Sequence, residues 1–171
     1  MIGLMALIIS VSTLTSGIMQ MNRRVRKVEQ EFVIGEKEDG LSISRDLATR
    51  ESRAKNILLI AQKYVLESDS EYKEIQKNIA TLSEEKSKHE LYEANENLQT
   101  QVDSLCSRLT EMGMNTDELQ ALNEEKAVFD NAMNTIQCDP YNQWVSEYEQ
   151  DIDTVPGTFF SWFTHEVEYF K

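Results

Sequence analysis

The sequence predicts an all-α protein, with an N-terminal transmembrane helix followed by an antiparallel helical bundle. Three observations carry this reading. Residues 2–21 hold no charged side chain. Further along the 171-residue chain, apolar residues recur at steps of three and four, the period of one helix face. Glycine and proline number only 6 and 2, so runs of Glu, Gln, Lys, Leu, Met and Ala proceed with few interruptions. No segment alternates apolar and polar residues over a strand's length with β-branched enrichment, so no sheet is expected.

At about 1.5 Å per residue the uncharged stretch makes a helix of roughly 30 Å, the thickness of a bilayer core. Ser10, Ser12, Thr13, Thr15 and Ser16 dilute its apolar character. In a helix, however, such hydroxyls bond the carbonyl four residues earlier, which lowers the cost of insertion. Arg23, Arg24, Arg26 and Lys27 follow directly and form the topology signal. By the positive-inside rule they leave the N-terminus outside and the following domain cytoplasmic, as a single-pass protein of the cell membrane. A cleaved secretory signal would carry its cations before the apolar run, where only Met1 stands. A helix buried in a soluble core is the third reading. Ser12 with Ser16, and Thr13 with Gly17, suit close approach of two anchors and hence a homo-oligomer. Chance spacing in a Ser/Thr-rich span accounts for them equally. The expected organisation is an anchor over 1–21, a basic juxtamembrane segment and glycine-containing loop over 22–43, and an acidic helical bundle over 44–171.

Helical pattern continues from the anchor to about Val33, and Gly35 and Gly40 then mark a hinge. It resumes after Ser44 and reaches an apolar patch at Ile57, Leu58, Ile60, Ala61, Tyr64 and Val65. Ser68 with Glu71 reads as a capping box ahead of Tyr72, Ile75, Ile79 and Leu82. The clearest stripe is Leu91, Ala94, Leu98, Val102, Leu105, Leu109 and Met112, closed by Gly113 as a C-terminal cap. Asn115 with Glu118 starts the next helix, whose stripe runs Leu119, Leu122, Phe129, Ala132 or Met133, and Ile136. Asp139-Pro140 supplies an acceptor at the N-cap and a proline at the first helical position. Tyr141, Val145, Tyr148, Ile152 and Val155 follow along one face, expected to be buried against the stripe that begins at Leu91, before Pro156-Gly157 ends the helix. A long coiled coil is the alternative home for such stripes, but Gly113, Pro140 and Pro156 interrupt the heptads.

The charge is unevenly placed. Lys and Arg total 17 against 30 Asp and Glu, a net of -13. Four cations sit in the juxtamembrane cluster, so the 13 left beyond Val28 face all 30 acids, a net of -17. Such a body repels phosphate backbones, which excludes nucleic-acid binding, and repels anionic headgroups too. Cys106 and Cys138 form no CxxC pair and are too few for a disulfide framework, which fits a reducing compartment. His89-Glu90 and His165-Glu166 open like the zinc motif HExxH, but Glu93 and Tyr169 stand where the second histidine belongs. The pairs Glu84-Glu85, Glu124-Glu125 and Asp151 with Asp153 read as solvated faces in so acidic a chain. With no glycine-rich phosphate loop and no GxSxG, no catalytic, cofactor or metal residue is expected, and the chain is not expected to be an enzyme. Phe159, Phe160, Trp162 and Phe163 form an aromatic patch with two readings. Together with Tyr169 and Phe170 it caps one end of the bundle, or it grips the membrane interface or a partner protein.

The run YNQWVSEYEQDIDTVPG and the closing Tyr169-Phe170 carry a resemblance. Tyr141-Asn142, Val145, Tyr148, Ile152, Pro156-Gly157 and Tyr169-Phe170 resemble the C-terminal signature of the LemA family of bacterial membrane proteins. The anchor opening Met1-Ile2-Gly3 is similar to that family as well. Lys55-Asn56-Ile57-Leu58 with Lys63-Tyr64 sits where the family has a Pro-Asn-Leu-Val segment, and Lys55 replaces the proline. The resemblance implies a membrane-tethered antiparallel helix bundle, and the family has no settled biochemical function. The functional expectation is therefore a membrane-anchored helical scaffold or protein-interaction module at the cytoplasmic face. It would bind the bilayer through residues 2–21 and an unidentified protein partner. The alternative, an accessory factor for a membrane protease or an envelope-stress response, comes only from the family's association with such proteases.

Overall fold

The computed structural model describes residues 2–35, 41–153, 158, 162 and 166–171, with the side chains of 2–11, 13 and 14 outside that description. Six helices span the described residues: α1 (Ile2–Ile34), α2 (Ile43–Ala61), α3 (Ser70–Ser83), α4 (Lys88–Glu111), α5 (Thr116–Cys138) and α6 (Tyr141–Ile152). No strand occurs among them.

Each boundary has a local cause. α1 runs into Gly35, whose φ of +87° closes the helix with an N–H donated to the Glu31 carbonyl at 3.0 Å. A Cβ there would stand 1.6 Å from the Leu41 carbonyl oxygen, so only glycine fits. The buried Ser42 hydroxyl then serves both neighbours. It donates to the Val33 carbonyl at 2.9 Å and accepts from the Arg45 N–H at 3.3 Å. α2 therefore starts ahead of Ser44, where the sequence placed it.

Asp69, rather than Ser68, caps α3, accepting from the N–H groups of Glu71 and Tyr72 at 3.0 and 3.3 Å. A carboxylate is the stronger acceptor, and Arg108 of α4 fixes this one with two bonds of 3.0 Å. The predicted box is found instead at Ser87 and Glu90, the start of α4. Gly113 (φ +77°) and Asn115, which accepts from the Glu118 N–H at 2.9 Å, stand as the sequence expects. Asp139 takes the Tyr141 N–H at 2.8 Å, and Pro140 flanks α6 rather than opening it.

Polar cross-links give the topology. Arg53 of α2 and Lys63, just past its end, reach Glu125 and Glu118 of α5, so later residues meet earlier ones and the pair is antiparallel. Asn78 with Gln101, and Asp69 with Arg108, set α3 antiparallel to α4. Gln99 with Asp130, and Asp103 with Lys126, do the same for α4 and α5. These four helices form an antiparallel bundle. Outside it, α1 and α6 run antiparallel, with Arg24 paired to Asp151 and the rings of Phe32 and Tyr141 5.3 Å apart.

Two apolar cores result. One gathers Ala54, Ile57, Ala61, Tyr72, Ile75, Leu98, Val102, Leu105, Leu109, Leu122 and Phe129 from α2 to α5. The other joins Met21, Val25, Val28 and Phe32 of α1 to Ile43, Leu47, Ile136, Tyr141, Val145, Tyr148, Val167 and Phe170. The α6 face is thus buried against α1 and not against the stripe beginning at Leu91, whose main length is already covered by α2 and α3. Only Leu91 and Tyr92 touch its rim, and Val155 lies outside the described residues. Residues 22–34, read as a basic juxtamembrane continuation of the helix, are helical, and their apolar face is packed into the second core. Among the described residues no helix is long and apolar enough to cross a membrane. The anchor expectation over 1–21 rests largely on side chains outside them.

Between the cores lies Arg50, fully buried in α2. Its Nε donates to Asn95 Oδ1 at 2.6 Å, and Nη1 to Gln99 Oε1 at 2.8 Å and the Phe129 carbonyl at 3.0 Å. Nη2 reaches the Asn95 carbonyl at 3.3 Å, and the guanidinium lies 3.8 Å over the Phe129 ring. Burial pushes its pKa down to about 10, opposed by the fields of Asp130, Glu96 and Asp103, so it stays charged at neutral pH. Replacing Arg50 by methionine keeps volume but strips these partners of their donor. Losing hydrogen bonds to a buried charge should cost about 3 kcal/mol, read as an earlier midpoint in urea denaturation of the full chain. An unchanged midpoint would show the network to be dispensable.

Acid should loosen the bundle by a second route. Hydrogen bonds from Lys63 and Tyr64 hold Glu118 below the usual glutamate value of 4.5, and Arg108 holds Asp69 below the usual aspartate value of 3.8. Folded values depressed in this way contribute stability that is complete above the unfolded values and is lost as pH falls through the folded ones. Burial and Asp139 raise Asp46, which opposes the trend. The thermal midpoint should therefore fall between about pH 5 and about pH 3, and Arg108→Gln should flatten that fall.

Candidate functional site at the junction of the first and last helices

The four topology cations lie on the exposed face of α1, interleaved with buried Met21, Val25 and Val28. A cleft of about 290 Å³ opens between α1 and α6, lined by Arg24, Lys27, Val28, Trp144, Glu147, Tyr148 and Asp151. Tyr148 is buried at its floor and Trp144 is half-buried at its side.

The family-signature residues meet at the other end of α6. The Asn142 side-chain amide pairs with the backbone of Phe170, donating to its carbonyl at 2.8 Å and accepting its N–H at 2.9 Å. That two-way match imitates one rung of a β-ladder. Tyr141, fully buried, donates its hydroxyl to the Glu168 carbonyl at 2.7 Å, and burial pushes its pKa well above the usual phenol value. The Phe170 ring drops between Phe32 and Tyr92, at 5.7 and 5.4 Å between centroids. Lys88 clamps the arrangement from α4. Its ammonium holds Glu29 at 2.9 Å, 5.2 Å over the Phe32 ring, and its N–H donates to Glu168. Val145 is buried and Ile152 half-buried, while the Tyr169 hydroxyl donates to Glu149 at 2.5 Å. Tyr141, Asn142 and Phe170 thus form a latch that ties the tail to the bundle.

The other sequence candidates do not converge on this site. Trp162 is 77 % exposed, while Phe159, Phe160, Phe163, Pro156, Gly157 and His165 lie outside the described residues. His89 is taken up by the Lys171 carbonyl at 2.6 Å. Among the described residues no group of three or more His, Cys, Asp or Glu side chains could hold a metal ion. Cys106 is half-buried, with its thiol pushed up to about 12 by that burial, and Cys138 is exposed. What the junction offers is recognition chemistry: cations, carboxylates and an indole around one cleft.

No family model, curated protein or solved structure matches the chain. The likeness to the LemA family therefore rests on the motif residues alone.

Sequence reasoning missed two things. Met21, Val25, Val28 and Phe32 step by 4, 3 and 4, a readable stripe. Arg50 falls in register with Leu47, Ala54, Ile57 and Ala61, at a core position of its helix. For the latch, Asn142→Ala should speed amide exchange at Phe170 about tenfold, the worth of one lost bond of about 1.4 kcal/mol, with α3 unaffected. Phe170→Ala should cost roughly 3 kcal/mol of global stability, as aromatic deletions in cores do. Unaltered exchange in the first variant would refute the latch.

Proposed function

We propose that the protein is a membrane-anchored helical scaffold, a protein-interaction module held at the cytoplasmic face by residues 2–21. The observation that carries the reading is the match between register and charge. Because Arg24 pairs with Asp151, α6 ends at the level where the uncharged stretch begins, and α1 continues beyond it. In that continuation Met19 is 63 % exposed. An uncharged helix of this length suits a lipid environment, and the cations beside it suit an inside flank. The acidic body then offers its surface to a basic or membrane-embedded protein partner. The resemblance to the LemA family belongs to the same proposal, supported by the convergence of Tyr141, Asn142, Tyr169 and Phe170 around α6.

The protein should stay in the membrane pellet after carbonate or high-salt washing and leave it only with detergent. Release without detergent would refute the anchor. Exposed Cys138 is the natural topology reporter: an impermeant maleimide should not label it in intact cells but should do so after lysis. Labelling before lysis would place the bundle outside. Proximity labelling from the bundle then identifies the partner, and a set dominated by a membrane protease would favour the accessory-factor reading.

A further inference from the structure

We propose that the α1–α6 cleft is a binding site for a zwitterionic aminophospholipid, with the phosphoethanolamine headgroup seated among Arg24, Lys27, Trp144, Glu147 and Asp151. The inference rests on the membrane reading above and adds a ligand to it.

Height comes first. Arg24 and Lys27 stand three and six residues beyond Met21, about 4.5 and 9 Å along a helix axis. A headgroup layer is about 5–8 Å deep on each face, so the cleft spans that layer. Trp144 lines the same cleft, and indoles favour this depth because one edge is apolar and the other can hydrogen-bond.

Charge selects the headgroup. The α1 wall carries two cations one turn apart, and the α6 wall carries two carboxylates one turn apart. Arg24 and Asp151 already form an ion pair, so the cleft presents one sign on each wall and little net charge. A phosphate with an ammonium two carbons away matches that pattern, the phosphate against Lys27 and the ammonium against Glu147. Ethanolamine suits it better than choline, because an ammonium donates hydrogen bonds to carboxylates and a trimethylated nitrogen has none to give. An anionic glycerol headgroup offers its phosphate to Lys27 but brings no ammonium for Glu147, which is left unmatched. The body beyond Val28, at a net of -17, adds to that repulsion.

The test uses the full chain carrying Trp162→Phe, which leaves Trp144 as the sole tryptophan of the 2 in the sequence. It is reconstituted into phosphatidylcholine vesicles with increasing phosphatidylethanolamine. The expected result is a saturable blue shift of Trp144 emission with protection from iodide, absent in pure phosphatidylcholine and not produced by phosphatidylglycerol. Lys27→Gln and Glu147→Gln, both at exposed positions, should each raise the half-saturating lipid fraction about tenfold, the worth of one charge-assisted bond. Their helical circular dichroism should match the parent. An equal shift with phosphatidylcholine, a shift with phosphatidylglycerol alone, or no effect of either variant overturns the proposal. So does a shift given by soluble phosphoethanolamine but not by the vesicles. Flotation separates the two readings. A chain that fails to float with vesicles overturns both, and one that floats without the shift overturns the lipid site alone.

Discussion

A single buried charge organises the bundle. Arg50 sits where the apolar residues of α2 pass from one core to the other, with Leu47 on one side and Ala54 on the other. Removing a guanidinium from water costs several kcal/mol. Four hydrogen bonds to neutral partners on α4 and α5, and a ring stacked beneath, offset that cost. What this layer adds over plain leucine packing is register. Asn95, Gln99 and the Phe129 carbonyl come together only in one alignment of three helices, and a slip of one turn would leave the charge buried and unmatched. Gln99 also donates to Asp103 and Asp130, and Lys126 pairs with both acids. The polar layer therefore continues to the surface as a connected network, in which each bond polarises the next.

This division explains why the second core needs parts from across the sequence. α2 and α5 supply only their ends to it, Ile43 and Leu47 from one and Ile136 from the other. Those few side chains leave an open apolar face. It is closed by the amphipathic half of α1, by α6, and by a tail that has no helix of its own at residues 166–171. Such a tail must satisfy its backbone without an intrahelical partner. Asn142 and Tyr141 do so at Phe170 and Glu168. The residues that carry the family resemblance are thus explained in large part by backbone satisfaction and aromatic packing. The cleft beside them uses different side chains of the same helix, Trp144, Glu147 and Asp151.

The legible and illegible parts of the sequence follow from the same physics. Stripes on α3, α4 and α5 were readable because each helix buries one face and wets the other, so spacing alone reveals it. The turn at Gly113 and the cap at Asn115 were readable because their chemistry is local. Asp69 was not, since its advantage over Ser68 depends on Arg108, 39 residues away. The partner of the α6 face was not, since periodicity identifies a buried face without naming what covers it. Arg50 was hidden among the charges of its own helix, although its place on the stripe marked it. Met21, Val25, Val28 and Phe32 were obscured by the cations between them, which announce an exposed segment while the alternate residues are buried.

That interleaving gives α1 a mechanical role. The helix is unbroken from Ile2 to Ile34, and among the described side chains its contacts with the second core begin at Met21, the last residue of the uncharged stretch. No flexible joint separates the two. A domain on a glycine-rich tether samples a volume set by linker length, whereas a bundle clamped to a continuous helix is held at one height and one tilt relative to that helix. Under the membrane reading, surfaces near Asp151 always face the headgroups. Fixed height raises the effective concentration of any partner at the matching depth and lowers it for partners out of reach. A rigid stalk of this kind suits a scaffold that must meet its partner in one geometry.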